Sequence, residues 1–141
     1  MSDRDLTPET RRWLSYALDD LNSARVMLRT EDFLPRQTCF LAQQAAEKAL
    51  KAVVLCSGLD VPRAHNLNFV RNMIPDGWNV RTTTADLFTL ATWATFPRYP
   101  GDWPEATESD AASAVEHAGA VVDQVMADFE ARGVPREGLG G

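Results

Sequence analysis

The sequence predicts an all-α fold, an up-and-down bundle of four to five helices. Three observations predict it. Apolar residues recur at steps of three and four through three long runs, which is the period of a helix face. Hydroxyl side chains, prolines and acids stand where these runs begin, and glycines stand where they end. No segment alternates apolar and polar residues at the period of a strand. The 141 residues suffice for one domain with a real core.

Residues 1–6 are expected to be disordered. Thr7-Pro8-Glu9 then supplies a hydroxyl cap, a proline at the first helical position and an acid in the first turn. The first helix is expected to reach about Arg29, with Leu14, Ala17, Leu18, Leu21, Ala24 and Leu28 as its apolar stripe. A short connection follows. Pro35 opens a second helix and Gly58 closes it as a left-handed cap. Two long helices joined this way pack antiparallel. After a loop to His65, Asn66 caps a third helix over 67–74, with Leu67, Val70 and Ile74 facing inward. Pro75-Asp76-Gly77 ends it, and Trp78 and Val80 read as a lid or a loop anchor. Thr82, Thr83 and Thr84 offer caps for a fourth helix over 85–95. Phe96-Pro97-Arg98-Tyr99-Pro100-Gly101-Asp102-Trp103-Pro104 holds too many prolines for a helix. Thr107-Glu108-Ser109-Asp110 opens the last one, over 108–132, whose apolar face runs from Ala111 to Phe129. The helical domain thus spans 7–132, and 133–141 is expected to be a disordered tail.

The chain is organised around Phe40–Ala52. Ala42, Ala45, Ala46, Ala49 and Ala52 line one face and let another backbone approach closely. Gln43, Glu47 and Lys51 stand at i, i+4 and i+8, with Gln44 and Lys48 in a row beside them. A mostly apolar helix carrying amide, carboxylate and ammonium groups must satisfy them internally or offer them to a ligand.

Composition narrows the function classes. Hydrophobic residues at 45% and charged residues at 24% are ordinary for a soluble globular protein. No apolar run reaches the ~18 residues of a membrane span, and the amino terminus lacks the apolar core of a signal peptide. A cytoplasmic protein is expected, with no membrane partner. Cys39 and Cys56 lie far apart on one helix and read as reduced core residues, and with two distant histidines they show no metal-ligand spacing. No metal and no cofactor are expected. A net charge of −6 argues against non-specific duplex DNA binding. Twelve of the fourteen basic residues are Arg, so an anion site would use a guanidinium fork.

The order of features resembles the HEPN domain family. The residues that carry the resemblance are Asp20-Leu21 with Ala24 in the first helix and Gln43-Gln44-Ala45-Ala46-Glu47-Lys48-Ala49-Leu50-Lys51-Ala52 in the second. Downstream come Gly58, His65-Asn66-Leu67 and Arg98-Tyr99-Pro100. The resemblance covers roughly residues 10–130. It implies a helical bundle, often a homodimer, whose relatives are commonly paired with a minimal nucleotidyltransferase, sometimes as toxin and antitoxin. Other members are metal-independent ribonucleases that use an Arg followed by four to six residues and a His. That signature is missing: the required positions before His65 are Gly58, Leu59 and Asp60, and those before His117 are Asp110, Ala111 and Ala112.

The resemblance and the residues together imply a non-catalytic module that binds a nucleotide or a nucleotidyltransferase partner. Two alternatives stand beside it: a divergent ribonuclease acting on RNA, and a purely structural interaction bundle. Gln44, Lys48, Lys51, Arg98 and Tyr99 are the candidates for nucleotide or anion binding, and Arg98, Tyr99 and His65 are the catalytic candidates. Asp20, Gln43 and Glu47 are expected to play structural polar parts. In the competing reading Lys51 pairs with Glu47 and Lys48 with Asp20, and His65 fixes its loop.

Overall fold

The alanine face of the second long helix sets the architecture. The computed structural model describes residues 6–95, 104–137 and 139. Among these residues the helices are α1 (Pro8–Leu28), α2 (Pro35–Cys56), α3 (Leu67–Met73), α4 (Leu87–Thr92) and α5 (Glu108–Glu130). One 3-10 turn, Asn79–Thr82, lies between α3 and α4, and no strand is present among the described residues. Ala42, Ala45, Ala46, Ala49 and Ala52 are fully buried. Their small side chains let α1 and α5 pack closely on either side of α2, while α1 and α5 touch each other less.

Side-chain meetings give the directions. Asp20 in mid-α1 meets Lys48 late in α2, and Met27 and Leu28 at the end of α1 share a cleft with Thr38 at the start of α2. The two helices are therefore antiparallel. Glu108 and Ala111 of α5 border the same cleft, so α5 runs parallel to α2 and the short α3 and α4 make the return. Gly119 is placed where α5 meets α1: a Cβ there would lie 2.9 Å from Nη2 of Arg25.

Caps account for most boundaries. Thr7 Oγ1 accepts from the Thr10 amide at 3.1 Å, and Asn66 Oδ1 accepts from the Phe69 amide at 3.2 Å. At α5 the capping is reciprocal, with Thr107 Oγ1 accepting from Asp110 N and Asp110 Oδ2 accepting from Thr107 N. The fourth helix differs from expectation. Its cap is Asp86, which accepts from the Thr89 amide at 3.0 Å, and the helix is only Leu87–Thr92. The threonines serve the preceding turn instead: Thr82 lies in the 3-10 turn, and Thr83 Oγ1 accepts from Ala85 N.

Trp78 and Val80 are a loop anchor. Both are buried, and the Trp78 ring meets Phe129 edge-on at 5.1 Å while the Arg132 guanidinium lies 3.6 Å from its centroid. Arg132 also donates to the Asp128 and Gly77 carbonyls, which ties the end of α5 to the turn after α3. Two stretches expected to be disordered have buried members. Leu6 joins the core ahead of α1, and Val134 and Leu139 join it beyond α5. Each is an isolated apolar residue among polar or glycine neighbours, so only the surface of distant helices decides its burial.

Candidate functional site

The polar row of α2 points inward and closes on one carboxylate. Gln43, Glu47 and Lys51 are all buried. Helical spacing puts Glu47 one turn from each of the other two. Gln43 Nε2 donates to Glu47 Oε1 at 2.9 Å, and Lys51 Nζ donates to Glu47 Oε2 at 3.2 Å. His65 joins from outside the helix, from the loop end just ahead of the Asn66 cap of α3. Its Nδ1 lies 2.8 Å from Glu47 Oε1. An ionised carboxylate only accepts, so the Nδ1 nitrogen donates to it. The His65 side chain is 51% exposed, against 7% for that of Glu47. The group is a solvent-facing imidazole held by a buried, charge-balanced base.

Burial pushes the Glu47 carboxyl up, but the hydrogen bonds from His65 and Gln43 and the Lys51 charge outweigh it and hold the pKa below its ordinary value. A carboxyl depressed in the folded state contributes stability above its unfolded value and loses it as pH falls through the folded one. Unfolding in urea should therefore require less denaturant as pH drops below 4.5, the ordinary value for this group. Glu47→Gln should flatten that dependence without abolishing it. The remainder comes from Asp86, whose carboxyl is also held low by the backbone and side chain of Thr89 at the α4 cap.

A second group sits one residue round the helix. Lys48 Nζ donates to Asp20 Oδ2 across the α1–α2 interface and lies 5.8 Å from the centroid of the Tyr16 ring. Gln44 Nε2 donates to Gln43 Oε1 at 2.7 Å, which ties the two rows together. Of the five anion-binding candidates, then, Lys51 and Lys48 each face a carboxylate and Gln44 faces an amide. Arg98 and Tyr99 lie outside the described residues. Among the catalytic candidates, His65 is brought to Glu47 and not to Lys48. Asp20, Gln43 and Glu47 have the partners that a structural polar role requires.

Sequence reasoning passed over a third feature. Glu9, Arg12, Trp13 and Tyr16 of α1, with Lys48 of α2, line a cleft of about 300 Å³. A signal was present, because 9, 12, 16 and 20, and likewise 9, 13, 16 and 20, stand three or four apart beside the apolar stripe. Asp128 was missed as well, although it is an acid on the apolar face of α5. It is buried and accepts from the Asn79 and Val80 amides.

Burial pushes the Cys39 thiol up to about 12, with the Asp110 charge adding to it, and burial also raises Cys56. Among the described residues no three His, Cys, Asp or Glu side chains are grouped to hold a metal ion. No helix among them is long and apolar enough to cross a membrane.

A helical bundle with a polar row buried along its central helix is the class these features define. The chain matches the HEPN domain family model over residues 10–128 and belongs to that family. Two solved structures are similar to it. One is TT1696 from Thermus thermophilus, at 26% identity and a TM-score of 0.73, with 86% of this chain and 99% of that chain covered. The other is ST0689, described as an archaeal HEPN homologue, at 23% identity and a TM-score of 0.59, with 82% and 93% covered. The second likeness is one of fold alone. No curated protein sequence matches this chain.

Proposed function

We propose that this chain is a non-catalytic nucleotide-binding module of the HEPN family. One observation carries the reading: the ionisable groups of α2 that would do chemistry are engaged by partners within this chain. Lys51 and His65 meet at Glu47, and Lys48 is held by Asp20. Such a set holds a shape and positions charge. It lacks the family's Arg-to-His spacing, which the sequence does not contain at either histidine.

The test is thermal melting against a panel of nucleoside phosphates. A ligand at ~100 times its dissociation constant adds about 2.7 kcal/mol, read as a rise of several degrees. No shift with any member of the panel would sink the reading. RNA turnover by the pure protein, lost in His65→Ala, would replace it with the ribonuclease alternative.

A partner protein is the second reading, either a nucleotidyltransferase of a toxin–antitoxin type pair or a second copy forming a homodimer. It is favoured by Phe69 and Phe88, which stand 52% and 74% exposed on the adjoining helices α3 and α4. Sedimentation of the wild type beside Phe88→Ser measures the homodimer directly.

A further inference from the structure

We infer that the cleft between α1 and α2 lined by Arg12, Trp13, Tyr16 and Lys48 binds a planar aromatic ring carrying one anionic group, the chemistry of a nucleoside monophosphate. The inference rests on the nucleotide-binding reading and adds a place for it, away from the Lys51–Glu47–His65 group.

The aromatic side of the cleft is open to solvent. Tyr16 is 52% exposed on a helix whose neighbouring residues at 14, 17 and 18 are buried. It has no ring partner: among the described residues the ring–ring contact is that of Trp78 with Phe129. Trp13, one turn earlier, is packed partly against the core and is thereby fixed. A fixed ring beside an open one, in a cleft of about 300 Å³, is the size and lining of a site for one flat ligand. Stacking on such rings is tolerant of which base is offered.

The ionic half is the arrangement of charge. Lys48 is held by Asp20 and stands 5.8 Å from the Tyr16 centroid, so its position at the rim is set before a ligand arrives. Arg12 is exposed and makes no ion pair among the described residues, which leaves its guanidinium fork for two oxygens of a phosphate. Glu9 lines the same cleft and is placed to accept from a sugar hydroxyl. Glu9 and Asp20 also offset Arg12 and Lys48, so the site has no surplus of positive charge for a polyphosphate. A monophosphate is the better match, and a long strand is the poorer one.

Titration calorimetry with adenosine 5′-monophosphate tests the site, using Arg12→Ala and Tyr16→Ala. Both residues are exposed, so both variants should fold, as circular dichroism would verify. Each should weaken binding ~10-fold or more, while His65→Ala stays within about twofold of the wild type. Adenosine alone and inorganic phosphate alone should each bind more weakly than the monophosphate. Equal affinity in Arg12→Ala and Tyr16→Ala, with loss in His65→Ala, would overturn this site and leave the nucleotide-binding reading intact. No heat from the monophosphate would overturn the site as well, and the melting panel then decides the broader reading by itself. If Tyr16→Ala turns a dimer into a monomer without changing the titration, the cleft is a contact between copies and the inference fails.

Discussion

Glu47→Ala should lower the stability of the fold by about 3–5 kcal/mol, the largest loss expected from a single substitution. The reason is what remains behind. Lys51 is buried and faces the Glu47 carboxylate, so the truncation leaves an ammonium in the core with no counter-charge. It also removes the acceptor from Gln43 Nε2 and from His65 Nδ1. Urea unfolding measures the loss. Adding Lys51→Met to Glu47→Ala should recover a large part of it, because a buried pair is costly to break and far less costly to replace with apolar groups. A loss below ~1 kcal/mol in the single variant would mean that water reaches the row, and the description of Glu47 as a buried base would fall.

Asp128→Ala should cost about 2–4 kcal/mol, from two hydrogen bonds to a charged group and two orphaned amides. Asp128 Oδ1 accepts from Asn79 N at 3.1 Å and Oδ2 from Val80 N at 3.0 Å, so one carboxylate from α5 holds the start of the 3-10 turn. Without it the segment carrying Trp78 and Val80 loses one of its ties to α5, while the Trp78–Phe129 contact and the Arg132–Gly77 bond remain. Asp128→Asn should fall between, since it keeps one acceptor oxygen and turns a donor toward an amide. Amide hydrogen exchange reports the effect locally. Protection at Asn79 and Val80 should drop in both variants, and unchanged protection would contradict the tie.

Both predictions concern buried acids, and the two were not equally legible. Glu47 stood in an i, i+4 row with Gln43 and Lys51, and helical geometry alone brings such residues together. Its pairing with Lys51 and that of Lys48 with Asp20 were foreseeable as one of two readings. The contact from His65 was not, because it spans 18 positions and depends on where a loop returns. Asp128 finds its partners 48 and 49 positions away, and no local pattern connects them. The α1 cleft stood in the same relation. The stripe of Glu9, Arg12, Trp13 and Tyr16 could be read from helical spacing, but its value depends on Lys48 being held beside it by Asp20.

The sequence by itself determined the all-α class, the three long helices, the caps of α1, α3 and α5, the alanine face of α2 and the kinship with the HEPN family. Each of these is written in contacts three or four residues apart, or in a string of adjacent residues, and local geometry turns them into structure. The tertiary structure decided the rest: that the cations of α2 turn to carboxylates, that the fourth helix shrinks behind a 3-10 turn held by Asp128, and that Lys48 of α2, held by Asp20, joins the aromatic rings and guanidinium of α1 in one cleft. Those outcomes depend on distances between elements far apart along the chain. Only packing of the whole bundle around α2 sets such distances, because burial makes an unpartnered charge costly and so selects which partners meet.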